Sequence, residues 1–405
     1  MSNKILNSSL HTNKKHLFFL LIGVLLIGAN LRVPLTSVGA LIPLIRDDLN
    51  VSNALIGTIT TIPLLAFAFI SPLVPKIASS YGMELSIAAS LVILIIGIIT
   101  RSLNGTVSLF LGTALIGLAI AFGNVLIPGI VKINFPTRIG LMTGLYAIFM
   151  NIFGALGSGI SVPIAKNGLG WKGALLIWVI LTFISLIVWL PQILKNKNQT
   201  RIESSPSHKE NLYKSKLAWK ITLFMGVQSL LFYTLITWLP DILYMSGLDA
   251  TTSGWMVFLM QCALIVMTFI VPIIAEKLKN QISLSIATGT LFIVGFIGLL
   301  YGGTTFIPLW VILMGIASGS AFSLSMMFFT LRTRDGIQAA KLSGMAQSFG
   351  YLLAAVGPIL IGGVEDITGS WTVSIIILII LALLLLFSGV GAGKNVYISK
   401  EDVRA

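Results

Sequence analysis

The sequence predicts an all-α membrane protein, with twelve transmembrane helices in two pseudo-symmetric six-helix bundles. The 405 residues are 56% hydrophobic and 10% charged, whereas a soluble domain carries about 25% charged residues. Mean hydropathy is +0.99. Apolar runs of roughly 20 residues recur along the chain, and each is long enough to cross a hydrocarbon core of about 30 Å as a helix. The two halves of the chain also resemble one another.

The first apolar run begins near Leu17. It is too long for the apolar core of a signal peptide and lacks a small-residue cleavage site, so we expect it to remain as helix 1. The twelve predicted spans are 17–45, 52–75, 84–101, 106–131, 139–165, 173–193, 218–244, 253–275, 282–303, 306–330, 340–364 and 371–393.

One long polar segment, KNKNQTRIESSPSHKENLYKSK, occupies residues 195–216 and has the composition of a linker. It divides the spans into two sets of six. The predicted organisation is a cytoplasmic tail (1–16), a first six-helix bundle (17–194), a cytoplasmic linker (195–217), a second bundle (218–393) and a cytoplasmic tail (394–405).

The distribution of lysine and arginine sets the predicted orientation. With the N-terminus in the cytoplasm, the outer side receives only Arg46, Arg101, Lys166 and Lys172 of the 26 basic residues. Lysine and arginine in short loops favour the cytoplasmic side of a membrane. We therefore expect both termini in the cytoplasm and a location in the cell membrane. The net charge of +13 is explained by topology, and no nucleic-acid partner is expected.

An offset of 200 residues superposes landmarks of the two halves. The matching pairs are Lys132 and Arg332, Gly144 and Gly344, Phe149 and Phe349, Gly157 and Gly357, and Trp171 and Trp371. Two parallel repeats are a transporter architecture, with the substrate site near the midplane between the halves. Chance recurrence of glycine and tryptophan in membrane helices is the alternative.

Several segments carry a family resemblance. NLRVPLTSVGALIPLIRDDL in helix 1, GNVLIPGIVKINFPTRIGLMTGLY across helices 4 and 5, QSLLFYTLITWLPDIL in helix 7 and LSGMAQSFGYLLAAVGP in helix 11 resemble the major facilitator superfamily. Within it they are most similar to the branch of cyanate permeases and 2-nitroimidazole transporters. The resemblance implies the major facilitator fold, a cavity lined by helices 1, 4, 7 and 10, and transport by alternating access.

One loop departs from the superfamily pattern. The loop after helix 2 reads SPLVPKIASSYGMEL, with Pro75 where the family has an acidic residue, and it keeps only Lys76 and Gly82. The corresponding loop after helix 8 keeps an acid and a base in Glu276 and Lys277. By this resemblance, the gating residues are Lys76, Glu276 and Lys277.

Arg32 is a permanent charge about 15 residues into helix 1. A charge at the centre of a membrane costs roughly 2.5–3.5 kcal/mol on insertion scales and marks a functional site by default. Guanidinium stays protonated and offers a planar fork of donors, which suits a small planar anion. The alternative is that Arg32 bonds to backbone carbonyls near Pro34 and braces a kink.

Other polar residues in the spans are candidates for the same substrate site. Each has an alternative role in an interhelical hydrogen bond, worth about 0.6 kcal/mol. With Arg32, the predicted substrate-binding residues are Asn30, Thr36, Asn124, Asn151, Gln228, Tyr233, Ser325, Gln347 and Tyr351.

These observations predict a secondary active transporter, not an enzyme, that moves a small planar anion such as cyanate or another small organic anion. No metal or cofactor is expected, since the chain has one cysteine, its three histidines lie outside the spans, and no nucleotide-binding loop occurs. Coupling of transport to a proton is kept as an alternative. We expect the protein to act as a monomer in the lipid bilayer. The first alternative is an exporter of neutral nitroaromatic or drug-like compounds. The second is a membrane enzyme or a solute sensor.

Overall fold

A computed structural model describes residues 17–50, 53–196 and 212–398 of the chain. Both predicted tails lie partly or wholly outside these ranges, as does most of the predicted linker. The regular elements that are described are helices: α1 (17–30), α2 (Val33–Leu49), α3 (Asn53–Ile70), α4 (Val74–Tyr81), α5 (Met83–Arg101), α6 (Thr106–Asn134), α7 (Ile139–Ile164), α8 (Gly170–Leu176), α9 (Trp178–Asn196), α10 (Lys216–Met245), α11 (Ala250–Lys277), α12 (Ile282–Tyr301), α13 (Ile307–Leu331), α14 (Gly336–Thr368) and α15 (Trp371–Ala392).

The number of membrane crossings agrees with the prediction of twelve. Within the described ranges, ten helical stretches are long and apolar enough to cross a membrane, and a bent pair of helices makes eleven. One of the ten is a 55-residue stretch, Ile139–Ile193, long enough for two crossings. It is broken near Gly168, whose φ of +100° favours glycine. The all-α twelve-helix prediction is confirmed.

Three predicted spans are each divided into two helices, and the one at 173–193 consists of α8 and α9. The span predicted at 17–45 breaks at Leu31 and Arg32, just before α2, where Pro34 lies in the first turn. The span predicted at 52–75 is α3 followed by α4, with a bend of 58° between them. Proline lacks the backbone N–H that continues a helix. Pro72 lies within this second break, and Pro75 lies in the first turn of α4. The span predicted at 52–75 is therefore a bent pair of helices.

The helices form two halves, α1–α9 and α10–α15, which meet through α7 with α11, α3 with α14 and α6 with α14. The contacts repeat across the 200-residue offset. A Cβ on Gly144 would lie 2.8 Å from the carbonyl oxygen of Phe269 in α11, and one on Gly344 would lie 2.7 Å from that of Ser71 after α3. Equivalent glycines thus bring equivalent pairs of backbone segments together at the interface between the two halves.

Hydrogen bonds between the halves lie towards one face of the bundle. We call this the terminal face, because α1 starts and α15 ends there. Ser348 Oγ donates to the carbonyl of Ala68 at 2.6 Å, and Gly140 N donates to Glu276 Oε2 at 3.0 Å. Lys132 Nζ donates to the carbonyl and hydroxyl oxygens of Thr333. These contacts close the terminal half of the space between the two halves.

Arg332, the repeat partner of Lys132, bonds within its own half. Its Nε donates to the carbonyl of Ala392 at 2.8 Å, and its Nη2 donates to Gln281 Oε1 and to the carbonyl of Gly393. Desolvation by burial lowers the pKa of Arg332 to about 10, so the side chain remains charged at neutral pH. Arg332 therefore fixes the end of α13 to the end of α15.

Candidate substrate cavity

A cavity of about 780 Å³ lies between the two halves. Its walls come from the α1–α2 break and from α2, α3, α5, α6 and α7 on one side, and from α10, α11, α13 and α14 on the other. Its residues belong to the parts of these helices beyond the terminal-face contacts. The cavity therefore opens towards the opposite face, where α5 ends and α6 begins.

Arg32 lies at the floor of this cavity. A smaller pocket of about 30 Å³ continues from the floor and shares Arg32, Asn151 and Tyr351 with the cavity. Arg32 Cζ lies 5.4 Å from the centre of the Phe232 ring, close enough for a cation–π contact. A Cβ on Gly154 would lie 2.6 Å from Arg32 Cγ, so this glycine leaves room for the arginine side chain.

A different arginine bonds the backbone at Pro34. Arg101 Nη1 donates to the carbonyl oxygen of Pro34 at 2.6 Å. Arg32 is half-buried and faces both the cavity and the floor pocket. Its guanidinium is thus in a position to meet a solute.

The charges around the cavity have one sign. Among the described residues that line it, the charged side chains are Arg32 and Arg101, and no carboxylate, histidine or lysine is present. A cleft lined by charge of one sign raises the local concentration of the opposite ion. The cavity is therefore suited to an anion.

Six further predicted site residues line the cavity or its floor: Thr36, Asn124, Asn151, Gln228, Tyr233 and Tyr351. Thr36 Oγ1 donates to the carbonyl of Gly154 at 2.8 Å. Asn151 Nδ2 donates to the carbonyl of Ala147 at 2.9 Å, and Gln228 Nε2 donates to Ser229 Oγ at 2.7 Å. These hydrogen bonds hold the side chains of Thr36, Asn151 and Gln228 in place beside Arg32.

Three predicted site residues lie elsewhere. Asn30 is buried against α9, with Nδ2 donating to Ser185 Oγ at 2.7 Å and Oδ1 accepting from Thr182. Gln347 Nε2 donates to the carbonyl of Asn124 at 2.9 Å, which joins α14 to α6. Ser325 is buried and donates to its own helix. These three residues bond to other parts of the protein and do not line the cavity or its floor pocket.

Of the predicted gating residues, Glu276 connects the two halves through Gly140. Lys76 on α4 and Lys277 at the end of α11 have exposed side chains. Lys132, which was not predicted to be a gating residue, also joins the halves. It meets the end of α13, where the carbonyl oxygens of a helix lack partners in the helix and attract a cation.

Sequence reasoning also missed Arg101, Phe232, Phe322 and Cys262 as cavity residues. Arg101 ends a span, where an arginine is normally an interfacial residue. The α11 residues that line the cavity are at positions 258, 261, 262 and 265, a spacing that places them on one face of the helix. This spacing could have been recognised in the sequence. Cys262 is the single cysteine of the chain and is exposed.

Two six-helix halves around a cavity that opens on one face define a multi-pass membrane transporter. The chain belongs to the Major Facilitator Superfamily, whose sequence profile matches residues 20–358. This confirms the family resemblance drawn from the motifs.

Relatives named as transporters align with almost the whole chain. The uncharacterized transporter YycB of Bacillus subtilis is 45% identical over 97% of this chain and 98% of its own length. The 2-nitroimidazole transporter of Escherichia coli is 40% identical over 94% of this chain and 97% of its own, and the cyanate transport protein CynX of Escherichia coli is 25% identical over 87% and 91%. These relatives support the predicted branch.

A solved structure shows the same fold. The proton:xylose symporter XylE has a TM-score of 0.75 at 11% identity, covering 93% of this chain and 95% of its own. At this identity the likeness concerns the fold alone.

Proposed function

We propose that the protein is a secondary active transporter that moves a small planar anion across the cell membrane by alternating access. The observation that supports this most directly is the Arg32 guanidinium at the cavity floor, with no carboxylate among the described lining residues. A buried charge is costly unless it is paired. An anionic solute would supply the partner.

The surroundings of Arg32 favour a flat solute. Phe232, Tyr233, Phe322 and Tyr351 present aromatic faces and edges to the floor pocket, and the guanidinium fork matches two coplanar oxygens. The names of the relatives agree with small planar cargo. Cyanate is a small anion, and the nitro group of 2-nitroimidazole carries two coplanar oxygens with partial negative charge.

The proposed orientation places the terminal face, with both chain termini, in the cytoplasm. This follows from the lysine and arginine distribution. In that orientation, the structure is open to the outside and closed to the cytoplasm by the contacts of Lys132, Glu276 and Ser348. Transport requires these contacts to break while new contacts form on the outer side.

The cavity offers no carboxylate for proton coupling among its described lining residues. If protons are coupled, the solute carries the proton, or a carboxylate at the end of a span, Asp47 or Asp241, takes part. We expect the transporter to act as a monomer and to bind neither nucleic acid nor a cofactor.

The test is uptake into proteoliposomes by the purified protein, with an imposed voltage and pH gradient. Benzoate and benzamide form a matched pair of planar solutes that differ in charge, and cyanate is a smaller anion. We expect uptake of benzoate or cyanate that falls by about 10- to 100-fold in the Arg32→Gln variant, since a charge-assisted bond contributes about 1.5–3 kcal/mol. Arg32→Lys should retain part of the activity.

Arg46→Gln is the matched control, because Arg46 lies on the same helix outside the cavity and pairs with Asp47. It should transport like the unmodified protein. Anion uptake that is unchanged in Arg32→Gln would contradict the proposal.

Export of neutral nitroaromatic compounds is a second candidate, favoured by the 40% identical relative. Arg32 would then donate to the nitro group. A deletion strain that becomes sensitive to 2-nitroimidazole, together with transport that carries no current, would favour this candidate over the anion transporter.

A further inference from the structure

Arg101 is a second guanidinium in the wall of the cavity. It is the last residue of α5, at the end of that helix near the opposite face, yet its side chain is fully buried. The side chain turns into the protein and donates from Nη1 to the carbonyl of Pro34. Pro34 lies two residues beyond Arg32, or about 3 Å along a helix. The carbonyl group that Arg101 bonds thus lies within one helical turn of Arg32 along the chain.

The other donors of Arg101 have no acceptor in the protein. Nε and Nη2 are buried and make no hydrogen bond to any described residue. Arg101 takes part in neither the ion pair of Arg46 with Asp47 nor that of Lys172 with Asp48. A guanidinium that served only to clamp α5 to α2 would be expected to have its remaining donors satisfied too, since buried polar groups are hydrogen-bonded as a rule.

The position of Arg101 indicates what the acceptor is. Arg101 borders the same cavity as Arg32 and reaches it from the opening side. Two positive charges in one cavity repel each other. An anion bound between or beside them offsets the free energy of that repulsion. The Arg101 fork has two adjacent N–H donors left, Nε and Nη2, which match two oxygens of one carboxylate or a single monovalent ion.

We propose that Arg101 forms a second anion subsite, between the opening of the cavity and Arg32, that holds a monovalent anion. The occupant is either the transported solute on its way to Arg32 or an inorganic anion such as chloride. This inference rests on the proposed function, in that both require an anion-binding cavity. The subsite should bind without Arg32, because its donors belong to a different helix.

The experiment is the thermal unfolding of the purified protein, titrated with benzoate, cyanate or chloride against gluconate at constant ionic strength. A ligand that binds the folded state raises the midpoint with its concentration. We expect Arg32→Gln to retain an anion-dependent rise. Arg101→Met in addition to Arg32→Gln should abolish it, and Arg101→Met alone should raise the half-saturating concentration about tenfold or more.

The variants and anions separate the possible outcomes. Arg101→Lys keeps the charge but loses the fork of two donors, and should give a half-saturating concentration between those of the unmodified protein and Arg101→Met. A rise with chloride as large as with benzoate identifies an inorganic occupant, and a rise with benzoate or cyanate alone identifies the solute.

The failures are also distinguishable. An anion effect that disappears in Arg32→Gln, or that is equal in the unmodified protein and Arg101→Met, overturns the second subsite and leaves the proposed function intact. If the unmodified protein shows no anion effect and no anion transport, the proposed function itself fails. The anion titration of the Arg32→Gln variant needs no substitution at Arg101. The subsite therefore stays testable even if the Arg101→Met variant does not fold.

Discussion

The carboxylate of Glu276 accepts a hydrogen bond from the backbone N–H of Gly140 at 3.0 Å. Glu276 is in the second half of the chain, near the end of α11, and Gly140 is the second residue of α7 in the first half. The first N–H groups of a helix have no partner within the helix and carry partial positive charge. One charged side chain therefore closes the terminal face by capping a helix of the other half.

Cys262 should report whether the cavity is open. It is exposed on the cavity wall and is the single thiol of the chain, so a charged, membrane-impermeant methanethiosulfonate added outside intact cells should modify it. Modification is measured by blocking the later attachment of a maleimide tag. Benzoate or cyanate should slow modification if either occupies the floor pocket. Cys262→Ser is the control for background labelling, and a thiol reached only from the cytoplasmic side would contradict the orientation.

Removing the charge of Glu276 should favour opening of the terminal face. Glu276→Gln keeps the size of the side chain but loses its attraction to the start of α7, which is worth about 0.3–1 kcal/mol. We expect the rate of Cys262 modification from outside to fall by about two- to fivefold, as the cytoplasm-open state gains population. Lys277→Gln changes the adjacent, exposed charge and should leave the rate unchanged. Equal effects in the two variants would show that overall charge, not the bond to Gly140, sets the rate.

Lys132 and Arg332 occupy equivalent positions in the two halves but should respond differently to substitution. Lys132→Met removes bonds between the halves at Thr330 and Thr333, so it should lower Cys262 modification by about tenfold or more with little change in unfolding temperature. Arg332→Met removes bonds within one half and leaves a buried gap. It should lower the unfolding midpoint by about 5 °C or more. The two measurements on both variants test this, and a reversed pattern would contradict it.

The sequence predicted the all-α twelve-helix fold, because the length of an apolar span is set by the thickness of the bilayer. It also identified Arg32, Asn151, Tyr233 and Tyr351 at the cavity. It did not predict which way a polar side chain faces. Asn30 lies two residues from Arg32, yet it bonds to α9, since a small amide in a membrane is satisfied equally well by a neighbouring helix.

Arg101 illustrates a second limit of sequence reasoning. An arginine at the end of a span normally extends to the membrane surface, and no feature of the residues around position 101 indicates the opposite. Its burial depends on the α2 backbone around Pro34, which another part of the chain supplies. The contact of Lys132 between the halves was not predicted for the same reason, because its acceptors lie at the end of α13, about 200 positions away.

Phe232 should fix the direction of the Arg32 guanidinium. Its ring lies under that group, and a cation–π contact is worth about 0.5–2 kcal/mol. Phe232→Leu keeps an apolar side chain but loses the ring quadrupole, so we expect the KM for the transported anion to rise by about three- to thirtyfold. Phe258 also lines the cavity but makes its aromatic contact with Trp255, and Phe258→Leu is the control. Equal changes in KM would assign the effect to cavity shape.

Gly344 should control how closely the two halves approach at the terminal face. An added Cβ would lie 2.7 Å from the Ser71 carbonyl oxygen, and the atoms it meets belong to backbone and to Pro75, which cannot rotate away. Overpacking of this kind costs about 1–3 kcal/mol in the state where it occurs, so Gly344→Ala should disfavour the structure described here relative to the cytoplasm-open state. Cys262 modification from outside should fall by at least about fivefold. Gly363→Ala is the matched control on α14, because nothing lies within 4 Å of an added Cβ at Gly363, and alanine has the higher helix propensity. If Gly344→Ala leaves the modification rate at that of Gly363→Ala, the contact of Gly344 with Ser71 does not limit closure of the terminal face.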